Sequence, residues 1–149
     1  MAESVIEGVV ERWHRHLHGE LDGGLDELLA DEVVFYSPIV FTPQRGKDIT
    51  KLYLTAAAQV FPGGAPITKE GAAATPRGFH YTKQTFGGND AVLEFETTIE
   101  GKLVNGVDII TSDEDGKIVE FRVMIRPLQA VNLIHRQMGE MLDRLNESS

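Results

Sequence analysis

Apolar residues recur at helical spacing at both ends of the chain. Near the N-terminus, Ser4 and Glu7 form an S-x-x-E capping box ahead of an apolar helical face. This pattern predicts a helix over residues 4–18. Pro127 suits the first turn of a second long helix, whose apolar stripe reaches almost to the C-terminus. The members of that stripe are Leu128, Val131, Ile134, Met138, Met141, Leu142 and Leu145.

Two shorter helices and a strand are predicted between the first helix and the middle of the chain. Asp22 can cap a short helix that runs through Ala30. The run Val33 to Tyr36 is rich in β-branched and aromatic residues and predicts a strand. A third helix follows the turn at Gly46, and the sequence FPGG at 61–64 ends it. Its apolar face consists of Ile49, Leu52, Tyr53, Ala56 and Val60.

Alternation of apolar and polar residues predicts an antiparallel meander in the second half of the chain. In one segment the apolar residues Leu93, Phe95 and Ile99 alternate with glutamates, which is typical of a sheet with one dry and one wetter face. Helices, sheet and final helix together predict one α+β domain over residues 1–149, with helices covering one face of the sheet. The predicted strands cover residues 79–86, 91–100, 104–111 and 118–126.

Charge and composition narrow the function classes. The net charge is −9 and the lysines and arginines are scattered, so neither nucleic acid nor an anionic membrane surface is an expected partner. Cysteine is absent, which excludes disulfides, a thiol nucleophile and thiolate metal ligands. No metal site and no cofactor are predicted. No secretory-type or membrane-length apolar run occurs, so a cytoplasmic protein is expected.

Asp108 interrupts an apolar run, because it stands between Val107 and Ile109. If its face of the strand is the covered face, the carboxyl is buried. A lone carboxylate is costly in an apolar setting, so the group would keep its proton and could donate a hydrogen bond to a ligand carbonyl or enolate. The alternative is an aspartate on the solvated face of an edge strand, or one paired to a backbone group. The residues that share its face are Val104, Gly106 and Ile110.

Several stretches together resemble one known family. They are VVERWHRHLHGELDGGLDELLADEVVFYSP, SPIVFTPQRG, ITKLY and GVDIITSDEDGKIVEFRVMIRP. In this order and spacing they resemble the nuclear transport factor 2-like superfamily, which includes ketosteroid isomerases and SnoaL-like polyketide cyclases. The resemblance covers nearly the whole chain. It implies a cone-shaped, curved, antiparallel-rich sheet around an apolar pocket, with three N-terminal helices and a C-terminal helix, and a homodimer through the outer face of the sheet.

The resemblance also assigns roles to individual positions. Asp108 falls where ketosteroid isomerases keep a protonated aspartate in the oxyanion hole, and Tyr53 falls where a tyrosine supports the same hydrogen-bond network. Ser37 stands where those enzymes have their catalytic base, and a serine hydroxyl cannot take a proton without a base of its own. Trp13 stands at the principal oxyanion-hole tyrosine, and an indole N–H differs from a phenol in length and direction. The acid of SnoaL-like cyclases falls at Val123.

His16 is the candidate replacement for the missing base, because it lies at the border of the apolar face of the first helix and histidine titrates in the useful range. The predicted catalytic pair is therefore Asp108 and His16. Alternation lets only one of Tyr36 and Ser37 face the pocket. The residues predicted to bind a ligand are Trp13, Tyr36, Ser37, Tyr53, Tyr81, Phe121, Val123 and Ile125.

Three functions remain open on the sequence. The first is an enzyme of isomerase or cyclase type, with Asp108 as the neutral hydrogen-bond donor. The second is a binding protein for a small hydrophobic, carbonyl-bearing molecule of steroid or polyketide type, in which Ser37 marks a lost base. The third is a dimerisation module without a ligand. Fold alone does not decide among them.

Overall fold

The computed structural model describes residues 4–60 and 79–148, so the predicted end of the third helix at 61–64 lies outside the described residues. The described helices are α1 (Val5–Leu17), α2 (Gly24–Leu28), α3 (Lys47–Val60) and α4 (Leu128–Ser148). The strands are β1 (Leu29–Tyr36), β2 (Gln44–Arg45), β3 (His80–Gly87), β4 (Asp90–Ile99), β5 (Lys102–Ser112) and β6 (Ile118–Arg126).

The strands form one curved six-stranded sheet in the order β2-β1-β6-β5-β4-β3. The predicted meander is present, since β3 to β6 pair with their sequence neighbours in antiparallel fashion. The helices pack on the concave side, which confirms the predicted α+β cone. One pairing was not predicted: β1 runs parallel to β6, with Phe35 opposite Phe121. That pairing joins segments far apart in sequence, where local pattern carries no signal.

The first helix begins as its sequence predicts. The Glu7 N–H donates to Ser4 Oγ at 3.3 Å, and the Ser4 N–H donates to Glu7 Oε1 at 3.0 Å. Both halves of the capping box are therefore present, and they satisfy backbone donors that a helix start leaves free. The buried face of α1 consists of Ile6, Val9, Val10 and Trp13.

The second helix is shorter than predicted. It ends at Leu28, and Leu29 and Ala30 belong to β1 instead of the helix. Leu29 pairs with Ile118 of β6, and its side chain is fully buried. The sheet pairing and this burial outweigh a local helical preference, which is a weak determinant on its own. The expected Asp22 cap is also absent, because Gly23 precedes the helix at φ 81° and no side chain caps it.

A glycine shapes the inner surface of β5. Gly106 lies opposite Phe95 on one neighbouring strand and opposite Ile125 on the other. A Cβ atom at this position would lie 2.5 Å from Cζ of Phe95 and 2.5 Å from the backbone oxygen of Met124. The Phe95 ring therefore occupies the space above the strand that a side chain at position 106 would need.

Two clusters of buried apolar side chains form the core of the cone. One contains side chains of α1, α2, β1 and the start of β4, and the other contains side chains of α3, α4, the end of β4 and the start of β5. Tyr81 and Val123 pack against both clusters. The outer face of the sheet exposes Val92 and Met124, and pairing of two copies through this face stays a prediction. No helix in the two described ranges is both long enough and apolar enough to cross a bilayer.

We expect Gly106→Ala to lower the free energy of unfolding by about 1–3 kcal/mol, because the new methyl group must displace the Phe95 ring or the Met124 carbonyl. Gly87→Ala is the matched control, since it is also a strand glycine and its Cβ would meet no atom within 4 Å. Urea unfolding measures the free energy of unfolding of both variants. Equal stability of the two variants would contradict this account of β5.

Candidate functional site

A cavity of about 400 Å³ lies inside the curve of the sheet. Its wall is formed by α1, α3, α4, the inner faces of β1 and β3 to β6, and the loop that follows β1. A volume of this size with mostly apolar walls is typical of sites for small organic molecules. The aromatic residues in the wall are Trp13, Phe35, Tyr53, Phe79, Tyr81, Phe95 and Phe121.

A chain of two hydrogen bonds crosses the cavity wall from α1 to β5. Trp13 Nε1–H donates to the Tyr81 hydroxyl oxygen at 2.9 Å, and the Tyr81 O–H donates to Asp108 Oδ2 at 2.6 Å. Trp13 and Asp108 are each only 5% exposed. The three groups come from three different elements, so the chain forms only when the sheet and α1 have packed together.

The indole fixes the direction of this chain. An indole N–H can only donate, so the Tyr81 oxygen must accept from it and its own proton is left for Asp108. Asp108 Oδ2 is thereby occupied as an acceptor. The other carboxyl oxygen, Oδ1, has no hydrogen-bond partner among the described residues, and Asp108 lines the cavity. A proton on Asp108 therefore belongs on Oδ1, where it can be offered to a molecule in the cavity.

A β-bulge in β3 brings that strand to α1. Tyr81 lies opposite Phe95 and Gln84 lies opposite Leu93, although the register shifts between the two pairs. Phe95 and Leu93 are both buried on the inner face of the sheet. Tyr81 and Gln84 therefore share that face, although they are three residues apart. In a regular strand they would lie on opposite faces. Gln84 consequently also reaches α1, with Oε1 2.8 Å from Nε2 of His14.

Burial raises the pKa of Asp108 to about 7, and the hydrogen bond from Tyr81 opposes the rise. Burial also raises the pKa of Tyr81 well above its ordinary value, and the neighbouring Asp108 charge adds to that rise. Tyr81 therefore remains a proton donor at neutral pH. Among the described residues that line the cavity there is no lysine or arginine to stabilise the ionised carboxylate. The carboxyl is thus poised between its neutral and ionised forms near pH 7.

His16 also lies on the cavity wall, next to Trp13, with ring centroids 5.5 Å apart. The side chain is half-buried, and burial lowers its pKa below the ordinary value for histidine. The imidazole is therefore neutral at pH 7 and able to accept a proton. Within the described ranges, no group of three histidine, aspartate or glutamate side chains is arranged to hold a metal ion.

Ser37, not Tyr36, faces the cavity. Ser37 Oγ accepts from the backbone N–H groups of Ile39 at 3.0 Å and Val40 at 3.4 Å, so the hydroxyl oxygen holds the loop at the mouth. Tyr36 lies on the outer face, where the Arg122 guanidinium stands 3.7 Å from its ring centroid. Tyr36, which was predicted to bind a ligand, does not line this cavity, because strand alternation turns it away.

Tyr53 lines the cavity but does not join the hydrogen-bond chain. Its ring stacks on Phe35 at 5.4 Å, and its hydroxyl makes no hydrogen bond within the described residues. Tyr81 occupies the supporting position that the resemblance assigned to Tyr53. The bulge that aims Tyr81 leaves no mark in the alternation pattern, so only the register of β3 on β4 could have revealed this. The remaining predicted residues, Trp13, Phe121, Val123 and Ile125, all lie on the cavity wall.

Comparison with known proteins shows which solved structures share this fold. No family model matches the chain, and no curated protein matches its sequence. Solved structures do match. A steroid delta-isomerase from Pseudomonas aeruginosa is 28% identical with a TM-score of 0.75, and the match covers 98% of this chain and 94% of that one.

Two further structures agree with that match. A protein with a cystatin-like fold from Silicibacter pomeroyi DSS-3 is 26% identical over 89% of this chain and 83% of its own, with a TM-score of 0.71. A protein of unknown function from Mesorhizobium loti, described as nuclear transport factor 2-like, is 17% identical over 83% and 92%, with a TM-score of 0.61. The chain therefore has the fold of nuclear transport factor 2-like proteins.

Asp108→Asn is expected to remove a pH dependence of stability. The pKa of Asp108 in the folded protein, about 7, lies above its unfolded value near 3.8, so folding favours the protonated form. This contribution is fully present below the unfolded pKa and is lost as pH rises through the folded pKa. Relative to the variant, the wild type should lose up to about 4 kcal/mol between those two values and then level off.

Urea unfolding across this pH range measures the difference between the two proteins. Glu96→Gln, on the exposed face of β4, is the control that removes an acid without touching the cavity. A constant difference between wild type and Asp108→Asn from acid to neutral pH would show that the carboxyl is not held neutral.

Proposed function

We propose that the cavity binds a small hydrophobic molecule through one oxygen atom, which accepts a hydrogen bond from protonated Asp108. The observation that carries this proposal is a buried carboxyl on the cavity wall whose Oδ2 accepts from Tyr81 and whose Oδ1 has no partner among the described residues. A neutral acid in an apolar cavity is a strong donor with no competing water. A carbonyl oxygen can accept the hydrogen bond from this acid. It brings no further polar group that the apolar wall would leave without a partner.

The volume and the apolar lining of the cavity support a ligand with a carbon skeleton of one or more rings. The aromatic side chains lie on several walls, and Val123 and Ile125 of β6 continue the apolar surface. Steroid- and polyketide-like molecules combine such a skeleton with a ketone oxygen. The similarity to a protein named steroid delta-isomerase supports this ligand class. The proposal concerns binding, because Ser37 replaces the base that the isomerase resemblance calls for.

A neutral ketone such as 2-acetonaphthalene should bind more tightly below pH 7 than above it. The ketone needs the proton on Asp108, and that proton is lost as pH rises through the pKa of about 7. Asp108→Leu should weaken binding at low pH by about tenfold or more, the usual worth of a buried hydrogen bond to a ligand. Titration calorimetry measures the affinity.

The control ligand is 2-ethylnaphthalene, which has nearly the same shape without the oxygen. Its affinity should depend neither on pH nor on the residue at position 108. The proposal would be overturned if the affinity for the ketone also depended neither on pH nor on the residue at position 108.

A second candidate function is proton transfer at the carbon next to the ligand carbonyl. The observation that favours it is the neutral His16 imidazole on the same cavity wall as Asp108. The imidazole would take a proton from that carbon, the C–H electron pair would form a carbon–carbon double bond, and the carbonyl oxygen would become an enolate. Asp108 would stabilise the enolate by its hydrogen bond.

In deuterated buffer, the methyl protons of bound 2-acetonaphthalene should exchange about 10² to 10⁴ times faster than in the protein with His16→Gln, the usual worth of a general base. Loss of the methyl signal in proton NMR measures the rate. His18→Gln is the control, since His18 follows α1 and does not line the cavity. Exchange that is no faster than in buffer leaves a binding protein and rejects this second function.

A further inference from the structure

No lysine or arginine lines the cavity beside its carboxyl group within residues 4–60 and 79–148. Its titratable side chains within the described residues are His16 on α1, Tyr53 on α3, Tyr81 on β3, Asp108 on β5 and His135 on α4. Burial keeps His16 neutral, and neither tyrosine can carry a positive charge. His135 lies on the exposed side of α4. Once Asp108 ionises, the cavity therefore holds a buried negative charge without a partner, which is a costly state.

The atoms around the ionised carboxylate suit a ligand that itself carries a positive charge. Asp108 lines the cavity, and its Oδ1 has no hydrogen-bond partner among the described residues, while Oδ2 keeps the hydrogen bond from Tyr81. The rings of Trp13, Phe35 and Phe121 belong to the same wall, and aromatic faces attract an ammonium group. The net charge of −9 raises the local concentration of cations around the protein. The carboxylate, the aromatic rings and the net negative charge of the protein all favour a positively charged ligand.

We propose that the ionised form of this cavity binds hydrophobic amines, with the ligand ammonium donating a charge-assisted hydrogen bond to Oδ1 of Asp108. The cavity volume of about 400 Å³ and its apolar walls call for an amine whose carbon body is one or two rings in size. The same carboxyl is the anchor of the proposed oxygen ligand, so this inference rests on that site and extends it. Protonated Asp108 selects a hydrogen-bond acceptor, and ionised Asp108 selects a cation.

The test compares 2-naphthylmethylamine with 2-naphthylmethanol, which has the same shape and no charge. An alkylamine stays protonated through neutral pH, as the lysine side chain does. Between about pH 5.5 and about pH 8.5 the ionised fraction of a group with a pKa of about 7 rises roughly thirtyfold. The amine affinity of the wild type should rise by a similar factor, and the alcohol affinity should not rise.

Asp108→Asn should abolish the rise, because the amide cannot ionise. Glu96→Gln is the matched control, since it removes one negative charge from the exposed face of β4 and leaves the cavity unchanged. An equal rise for amine and alcohol, or a rise that survives in Asp108→Asn, overturns the inference.

Linked protons give a readout that needs no variant. Binding of the ammonium below pH 7 should release a proton from Asp108, whereas binding of 2-acetonaphthalene above pH 7 should take one up. Calorimetry in buffers of different ionisation enthalpy measures both signs. Proton uptake with the ketone but no release with the amine rejects the amine site alone. No linked proton with either ligand rejects both this inference and the proposed function.

Discussion

The hydrogen-bond chain from Trp13 through Tyr81 to Asp108 is the interaction on which the chemistry of this molecule depends. A carboxyl group that is 5% exposed and has no cationic neighbour in the described wall is costly to ionise. One hydrogen bond from Tyr81 offsets part of that cost and leaves the pKa close to neutrality. Without this bond the carboxyl would stay neutral over a wider range of pH. With a nearby lysine or arginine it would be ionised throughout.

The scaffold serves this arrangement in two places. The bulge in β3 turns both Tyr81 and Gln84 toward α1, which a regular strand cannot do. The missing side chain at Gly106 leaves room for the Phe95 ring of β4, over the face of β5 that also carries Asp108. A donor-only indole at the start of the hydrogen-bond chain then fixes Tyr81 as the donor to Asp108. The backbone sets the positions of these side chains, and Trp13 sets the direction in which the hydrogen bonds are donated.

Periodicity was enough to predict most of the fold. The alternation in β4, β5 and β6 predicted the strands, and the capping box predicted the start of α1. Which face of β5 is covered was left open by the pattern, and the structure shows that the face with Asp108 is the buried one. Features that depend on contacts between distant segments were not predictable. The parallel pairing of β1 with β6 drew Leu29 out of a predicted helix. The bulge that brings Tyr81 to Trp13 depends on the register between two strands, which hydrophobic pattern does not report.

The buried carboxyl of Asp108 should titrate near neutral pH. ¹³C NMR can follow the side-chain carboxyl carbon of Asp108 as pH is varied, with the signal assigned by its absence in Asp108→Asn. We expect a midpoint near 7 in the ligand-free protein. A midpoint near the unperturbed value of 3.8 would mean that the carboxylate is already ionised at neutral pH, and the role given to its proton would be wrong.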